Sequence, residues 1–426
     1  MKQMKCRLSR VIIWTFIIFT LFSPLKAQAL EKQFSLAAKS AIAVDANSGK
    51  ILYTQNSDEV LAIASITKLL SIYLVYEQID SGNLSWDEPL PVSDYQKKLS
   101  KDPDLSNIPI EDDMPYTVGD AVTASLISSA NSLTSALAEH IAGSEVAFVE
   151  MMHEQLEDWG ITDALLVSAS GLSNEYIQGK YYGNTKEEDE NMMSAKDVAI
   201  IAQHLITDYP EILDITSQPS TELFKGTDQA FTIWNSNDML PGFDYETPHV
   251  MGLKTGTSPL AEACFAGLIE KDGTQIITVI LGVDEEHNRF EETSHLIDYL
   301  NKEWTYTSVL KKGDSPSVAS IETKNSKYKT VPLMVTEDVV IWVKNNDDIE
   351  LTFKETSDQI TKNGKLAAPV SKESIIGEQF VTNKNDSLGY LDSSIHKEPG
   401  IPVTLKKDLE KDNIFTIAWY RITGKS

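Results

Sequence analysis

Three short motifs bring together side chains that could transfer an acyl group through a serine. They are Ser65-Ile66-Thr67-Lys68, Ser129-Ala130-Asn131 and Lys254-Thr255-Gly256-Thr257. Ser-x-x-Lys and Ser-x-Asn occur by chance in most chains of this length, so each motif alone is weak. The three follow one another at a predicted helix start, a predicted helix break and the end of a predicted strand. Together they indicate a single site.

The first motif has the residue types and the spacing of a nucleophile and its base. A serine hydroxyl attacks poorly until a neighbouring base accepts its proton. Ser65 and Lys68 are three positions apart, so on a helix they share a face. A lysine acts as a base near neutral pH only if its pKa falls, and burial beside a second cation such as Lys254 would lower it. Taken singly, Ser65 fits a helix N-cap and Lys68 a solvated residue, but the apolar run 60–64 favours a buried turn.

The other two motifs supply groups that would surround the reacting atoms. Ser129 could relay a proton between Lys68 and a leaving amine, and Asn131 could hold Lys68 and the substrate backbone. Gly256 would let a substrate approach the strand edge closely, and the N–H of Thr257 could donate to an oxyanion. The N–H groups at the start of the helix beneath the serine would add to this stabilisation.

Periodicity places these motifs on a mixed helix and strand framework. Residues 41–54 are typical of a hairpin around an Asn-Ser-Gly turn. Residues 87–116 and 184–191 are polar and are predicted to be surface loops. Helices, the second of them capped by Thr117, are predicted over residues 69–79, 118–127, 131–141, 145–159 and 194–205.

The chain after Pro241 becomes β-like again and then changes character. A closing helix over about 291–304 precedes a polar linker at 311–320. Residues 330–405 show short alternating strands and no helix signal, which predicts a small all-β domain. Before the closing helix, a turn at 271–273 joins the last two of three strands predicted at 249–254, 264–270 and 275–282.

Both ends of the chain have the composition of targeting segments. Residues 1–29 combine a basic start, an apolar run of about 12 residues and Ala27-Gln28-Ala29, which describes a secretory signal peptide. The run is shorter than the roughly 20 residues that span a bilayer, so an uncleaved anchor is disfavoured. At helical spacing, one face of the apolar segment 414–422 carries Phe415, Ala418, Trp419 and Ile422. This segment fits either a short helix lying in a membrane interface or a last buried strand.

Charge and cysteine content argue against several classes of function. Without residues 1–29 the chain has 32 basic and 63 acidic residues, a net charge of −31. Such a field repels nucleic acid, so a polynucleotide partner is not expected. Cys6 lies in the signal segment and leaves Cys264 alone, so no intramolecular disulfide is expected. The histidines are scattered without metal-ligand spacing, and no metal site is expected.

The three motifs together resemble those of the serine penicillin-recognising enzymes. Within that group the chain is most similar to the low-molecular-mass D-alanyl-D-alanine carboxypeptidases. The similarity runs from about residue 38 to the C-terminus. Besides the three motifs it includes the hairpin 41–54, Tyr116-Thr117-Val118, residues 136–141, Ser170-Gly171-Leu172, Asn235-Ser236-Asn237 and Gly252-Leu253.

This resemblance implies an α+β fold. Its first domain would be penicillin-binding and β-lactamase-like, an antiparallel five-stranded sheet flanked by helices, and a small all-β domain would follow. We therefore expect a signal peptide at 1–29, a DD-peptidase domain at 35–308, a β-rich domain at 315–410 and an amphipathic membrane-anchoring segment at 411–426.

The resemblance also implies the reaction and its setting. Ser65 would attack the D-Ala-D-Ala bond of a peptidoglycan stem pentapeptide, release the terminal D-Ala and form an acyl-enzyme that water hydrolyses. β-Lactams would acylate the same serine, and no metal or organic cofactor is required. The protein would be exported to the outer face of the cytoplasmic membrane or the cell wall, with peripheral membrane association through its C-terminal segment.

Residue roles follow from the same resemblance. Ser65, Lys68 and Ser129 would be catalytic. Arg289 lies where the family places a basic residue for the substrate's terminal carboxylate, although a surface ion pair with Glu285 or Glu292 is the alternative. Ala130 stands where glycine is common, and residues 258–263 depart from a glycine-rich pattern. The substrate-binding set would be Asn131, Lys254, Thr255, Gly256, Thr257 and Arg289.

Three other functions share part of this pattern. A class A β-lactamase needs a Glu-x-x-Leu-Asn loop, and the nearest match, 187–191, has Glu190 at the leucine position. A DD-transpeptidase would use the same acyl-enzyme and let an amine compete with water. A catalytically silent cell-wall binding protein is expected to have lost Ser65, Lys68 or Lys254, and all three are present.

Overall fold

The computed structural model describes residues 34–345, 347–391 and 400–413, together with Phe415, Trp419 and Ile422. The elements below belong to one compact unit, Leu36–Ser426. The expected signal peptide at 1–29 lies outside the described residues.

A five-stranded antiparallel sheet forms the centre of the N-terminal part. Its spatial order is β2 (Ile51–Gln55), β1 (Ser40–Asp45), β9 (Thr274–Val283), β8 (Glu262–Lys271) and β7 (Val250–Ser258). Strands β8 and β9 are apolar and buried over most of their length because helices pack against them. Asp272 and Gly273, with φ of +53° and +80°, close the β8–β9 hairpin at the predicted turn.

Helices surround this sheet. The first, α1, is buried at every residue from Lys68 to Tyr76 because it packs among the other helices. Thr117 caps the third helix as predicted, since its Oγ1 accepts from the N–H of Asp120 at 3.1 Å. The helices are α1 (Lys68–Asp80), α2 (Asp94–Leu99), α3 (Val118–Ile127), α4 (Asn131–Ala142), α5 (Glu145–Asp158), α6 (Ala195–Asp208), α7 (Leu213–Thr216) and α8 (Arg289–Glu303).

Some elements of this part differ from the sequence-based prediction. Strand β7 continues past residue 254 to Ser258 because its polar end keeps pairing with β8. The predicted loop 87–116 contains α2 and packs onto the second motif, where the carbonyl of Ser106 accepts from both N and Nδ2 of Asn131. Four short strands carry weak sequence signals and pair as β3 (Leu61–Ala62) with β4 (Met192–Met193) and β5 (Ser220–Leu223) with β6 (Phe231–Trp234).

The C-terminal region is all-β over its described residues up to 409, as predicted. Trp304 begins a strand instead of ending the closing helix, so that β10 (Trp304–Leu310) pairs with β13 (Val339–Lys344). Alternating side chains such as Val331, Leu333 and Val335 are buried in a separate apolar core. A six-stranded sheet has the order β14 (Ile349–Glu355), β16 (Gly377–Asn383), β17 (Ile401–Leu405), β12 (Thr330–Val335), β11 (Ser320–Lys324) and β15 (Leu366–Ala367).

Two charged residues of the β1–β2 hairpin join the C-terminal region, and we call these contacts the junction. Lys50 is 5% exposed, and its Nζ lies 2.7 Å from the Asp386 carboxylate and 2.9 Å from the carbonyl oxygen of Gly389. Asp45 is buried and accepts from Trp342 Nε1 at 2.9 Å. Sequence patterns did not indicate these contacts.

The last described residues are helical and exposed. Phe415, Trp419 and Ile422 have 84%, 62% and 83% of their surfaces exposed. This conformation contradicts the alternative of a last buried strand. Among the described residues, none of the helices combines the length and the hydropathy needed to cross a membrane.

Candidate active site

The three motifs meet where the start of α1 approaches strand β7. Ser65 lies in a 3-10 turn, Ala64–Thr67, that leads into α1 and packs against β7. The approach is close because Gly256 has no side chain, and a Cβ there would stand 2.4 Å from the carbonyl oxygen of Ile63. Gly256 therefore has a packing role that the sequence alone did not indicate.

Lys68 is the centre of the hydrogen-bond network. Its side chain is fully buried. Its Nζ lies 2.9 Å from Ser65 Oγ, 2.6 Å from Asn131 Oδ1 and 2.7 Å from the carbonyl oxygen of Ser170. The structure thus brings Ser65, Lys68 and Asn131 into direct contact.

The two buried lysines of the site have lowered pKa values. Burial lowers the pKa of Lys68 well below its usual range, and the positive charge of Lys254 lowers it further, while Glu145 acts in the opposite direction. Lys254 is also buried, and its Nζ donates to the carbonyl of Thr255 at 3.0 Å. Burial, and then the charge of Arg289, lower the pKa of Lys254 to about 7.

Two residues near the reacting groups have left-handed backbone conformations. Ala64, directly before Ser65, has a φ of +45°, and Ser129 has a φ of +61°. Each such conformation in a residue other than glycine stores on the order of 1 kcal/mol, which the surrounding packing must offset. Ser129 is buried at the break between α3 and α4, and its hydroxyl is not among the three hydrogen-bond partners of the Lys68 amine.

Arg289 begins α8 and reaches back to the third motif. Its guanidinium donates to the carbonyl oxygens of Gly256 at 2.6 Å and Cys264 at 2.9 Å. It also donates to Thr257 Oγ1 at 2.7 Å. These bonds place Arg289 at the end of β7 and differ from the ion pair with a neighbouring glutamate that the sequence left open.

Similarity to known proteins covers both parts of the chain. The sequence profile described as D-alanyl-D-alanine carboxypeptidase matches residues 26–285, more than half of the chain. This chain belongs to the D-alanyl-D-alanine carboxypeptidase family. The profile described as the C-terminal domain of penicillin-binding protein 5 matches residues 304–411.

Individual relatives agree with this assignment. The D-alanyl-D-alanine carboxypeptidase DacF of Bacillus subtilis is 27% identical over 415 residues, which cover 97% of each chain. The crystal structure of a peptidoglycan synthesis regulatory factor (PBP3) from Streptococcus pneumoniae has a TM-score of 0.73 at 36% identity and covers 88% of this chain and 100% of that chain.

A further solved structure is of a shorter chain. Penicillin-binding protein D2 of Listeria monocytogenes, in its ampicillin-bound form, has a TM-score of 0.52 at 28% identity and covers 62% of this chain and 98% of that chain. Together, these relatives and the profiles confirm the predicted α+β fold and the serine D-alanyl-D-alanine carboxypeptidase function.

The carboxypeptidase site also contains groups that its motifs do not reveal. Ser170 contributes a main-chain carbonyl, which any residue type could supply. Asn191 Oδ1 accepts from the N–H groups of Val167 at 2.7 Å and Ser168 at 3.1 Å. Asn191 Nδ2 donates to Thr67 Oγ1 at 3.0 Å, which ties this segment to the turn that carries Ser65. Its place at the end of the predicted loop 184–191 gave no sequence signal specific to this role.

Other polar contacts hold the end of strand β7. Glu190, which stands at the leucine position of the β-lactamase loop pattern, accepts from Ser258 Oγ at 2.5 Å. Ser236 Oγ lies 2.7 Å from Thr255 Oγ1. In the described part of the chain, no group of three His, Cys, Asp or Glu side chains is placed to hold a metal ion.

Proposed function

We propose that Ser65 is the nucleophile of this carboxypeptidase and that Lys68 is its base. The observation that carries this proposal is the arrangement of acceptors around the Lys68 amine. An uncharged amine has two hydrogens and one lone pair, whereas carbonyl oxygens only accept. When its hydrogens point to Asn131 Oδ1 and the Ser170 carbonyl, the lone pair faces Ser65 Oγ at 2.9 Å. The Ser65 hydroxyl can then give its proton to Lys68 as it attacks.

The proposed reaction has two stages. In the first, Ser65 Oγ bonds to the carbonyl carbon of the penultimate D-Ala and its proton moves to Lys68. The bond to the terminal D-Ala nitrogen breaks as that nitrogen takes up a proton, which Ser129 is proposed to pass on from Lys68. In the second stage, water attacks the acyl-enzyme, Lys68 takes a proton from the water, and Ser65 recovers its proton as the shortened peptide leaves.

Substrate binding is assigned to strand β7 and the cations beside it. The described sheet ends at β7, so the outer edge of this strand is available to an extended peptide. We assign the N–H of Thr257 as an oxyanion donor and place the terminal carboxylate of the substrate near Lys254 and Arg289. Asn131 and Thr255 complete the binding set, and the Thr255 hydroxyl is oriented by its bond to Ser236.

The proposal extends to β-lactams. A penicillin places its strained amide where the D-Ala-D-Ala bond would lie, so Ser65 should be acylated by it. Support comes from the relative in Listeria monocytogenes, whose structure is of an ampicillin-bound form.

We further propose that the protein is exported and works at the outer face of the cytoplasmic membrane or in the cell wall. The composition of residues 1–29 supports cleavage of a signal peptide. The exposed apolar side chains of Phe415, Trp419 and Ile422 support peripheral membrane association through residues 411–426. A catalytic domain at 35–308 and a β-rich domain at 315–410 remain the proposed boundaries.

The test is incubation of residues 30–426 with a pentapeptide ending in D-Ala-D-Ala. Release of D-Ala and a one-to-one penicillin adduct in the intact mass, both lost in Ser65→Ala, are the expected results. An adduct without D-Ala release would indicate a transpeptidase that needs an acceptor amine. No adduct would contradict the acyl-serine mechanism.

A further inference from the structure

A buried carboxylate outside the three motifs lies behind the Lys68 network. Glu145 is the first residue of α5 and is 5% exposed. One oxygen of its carboxylate accepts from Ser135 Oγ at 2.6 Å, and the other accepts from the main-chain N–H of Ala169 at 2.8 Å. Glutamate is almost never this deeply buried unless it has a specific partner.

The segment that Glu145 holds is the one that contacts Lys68. The carbonyl oxygen of Ala169 accepts from Ser71 Oγ at 2.5 Å, one turn along α1 from Lys68. The next carbonyl, that of Ser170, accepts from Lys68 Nζ at 2.7 Å. Gly171 follows, and a Cβ on it would stand 2.0 Å from the carbonyl oxygen of Ala64. A shift of this segment would therefore move an acceptor of Lys68 and the backbone before Ser65 together.

The surroundings of Glu145 favour its ionised form over what burial alone would give. The carboxylate is the acceptor in both of these hydrogen bonds. It also lies at the N-terminus of a 14-residue helix, where negative charge is stabilised. Burial raises its pKa most, the Ser135 and Ala169 hydrogen bonds lower it, Glu139 raises it and Lys68 lowers it, so that on balance the pKa of Glu145 lies above its ordinary value. The charge of Glu145 also raises the pKa of Tyr95 in α2, and the charge of Lys254 in β7 lowers the pKa of Lys68.

We propose that Glu145 is a positioning residue for the acylation step. Through the Ala169 N–H it fixes the Ser170 carbonyl that takes one hydrogen of Lys68, and it places a carboxylate behind the Lys68 network. This inference rests on the proposed roles of Ser65 and Lys68. It gives helix α5, which lies outside the three motifs, an indirect part in the reaction.

The sign of the expected effect follows from the charges. Burial and Lys254 lower the pKa of Lys68, and Glu145 raises it. Loss of the Glu145 charge should therefore lower the pKa of Lys68 further. Acylation needs uncharged Lys68, so the acidic limb of its pH profile should move to lower pH.

The experiment measures the second-order rate constant for acylation by a fluorescent penicillin between pH 5 and pH 10. Glu145→Gln keeps an amide oxygen that can accept from the Ala169 N–H and an NH2 group that can donate to Ser135 Oγ, but it removes the charge. The acidic limb of the pH profile should shift to lower pH by about half a pH unit or more. Glu154→Gln, an exposed change on the same helix, should leave the profile unchanged. Glu145→Ala should also lower the plateau, because the Ser170 carbonyl is no longer held.

Each outcome bears on one proposal. A Glu145→Gln profile whose limb coincides with that of the unchanged protein, or lies at higher pH, would overturn the role of Glu145. Absence of acylation in the unchanged protein at every pH would instead overturn the proposed function. If Glu145→Gln does not fold, Ser135→Ala replaces it. Removing that donor weakens the ionised form of Glu145, so a smaller downward shift is expected, and no shift would count against the inference.

Discussion

Lysine side chains are buried in two regions of the molecule, and their partners differ. At the active site, the hydrogen bonds of Lys68 go to a hydroxyl and two amide oxygens, and that of Lys254 goes to a main-chain carbonyl. At the junction, Lys50 faces the Asp386 carboxylate at 2.7 Å. A buried ammonium beside a carboxylate keeps its proton, whereas one with neutral partners gives it up more readily. The junction lysine is arranged to hold two regions together, and the active-site lysines are arranged to exchange protons.

The largest expected effect is on the rate of acylation. Lys68→Met should lower the rate constant for penicillin acylation by about 10³-fold, because Ser65 loses its base. Its thermal midpoint at pH 7 should fall less than that of a variant that breaks a buried ion pair, since the hydrogen bonds of the Lys68 amine go to a hydroxyl and two amide oxygens rather than to a carboxylate. Stopped-flow acylation and thermal melts measure the two quantities. A large loss of stability with little loss of rate would reverse the assignment of Lys68 to chemistry.

The junction should respond in the opposite way. Lys50→Met leaves Asp386 and Asp45 in place and should lower the free energy of unfolding by about 3 kcal/mol, because one partner of a buried pair is removed. The folded variant should keep its acylation rate. Urea unfolding followed by fluorescence gives the first quantity.

A matched control tests whether burial decides this loss. The pair between Lys196 and Asp58 is longer, at 3.5 Å, and more exposed. Lys196→Met should therefore change the free energy of unfolding by less than about 1 kcal/mol. Equal losses of unfolding free energy in Lys50→Met and Lys196→Met would show that burial does not decide the strength of these pairs.

The pH dependence of stability distinguishes the two kinds of lysine further. The pKa of Lys254 falls from 10.5 to about 7 on folding, so between these values the unfolded chain binds more protons. Lys254 therefore makes the free energy of unfolding rise with pH, by about 1 kcal/mol per unit between pH 7 and pH 9. Lys254→Met should remove this contribution to the slope, while that of Lys68 remains, and should be more stable than the unchanged protein at pH 7. Urea unfolding at pH 7, 8 and 9 measures how the free energy of unfolding depends on pH. An unchanged slope in the variant would show that Lys254 does not titrate in this pH range.

The smallest effect concerns the second contact of the junction. Trp342→Phe keeps the ring but removes the N–H that Asp45 accepts at 2.9 Å. Asp45 retains Thr274 Oγ1 and Ser48 as donors, so the loss should be about 1.5 kcal/mol. Trp234→Phe, at a tryptophan that is 62% exposed, should have almost no effect in the same unfolding assay.

Features with a local cause could be predicted from the sequence. The capped helix after Thr117, the β8–β9 turn and the contact between Ser65 and Lys68 each depend on residues within a few positions of one another. The family resemblance supplied the overall fold and the reaction. The predicted roles of Ser129 and Arg289 rest on the same resemblance and remain proposals.

Features made by distant or main-chain groups could not be predicted. The Ser170 carbonyl has no residue-type signature, and Glu145 looks like an ordinary first-turn acid of an amphipathic helix until Ala169 is placed beside it. Strand β7 extends beyond its apolar residues because β8 provides partners for its polar end. Lys50 and Gly389 are 339 positions apart, a pairing that no local pattern contains.

The junction has a consequence for the evolution of such chains. A gene rearrangement that deleted or exchanged the C-terminal region would leave the carboxylate of Asp45 and the ammonium of Lys50 without Trp342 and Asp386. Exchange of the two regions between proteins would therefore destabilise the product at this hairpin. Family members with a different second region, or with none, should carry other residues at these two hairpin positions, and the four sites should change together across the family.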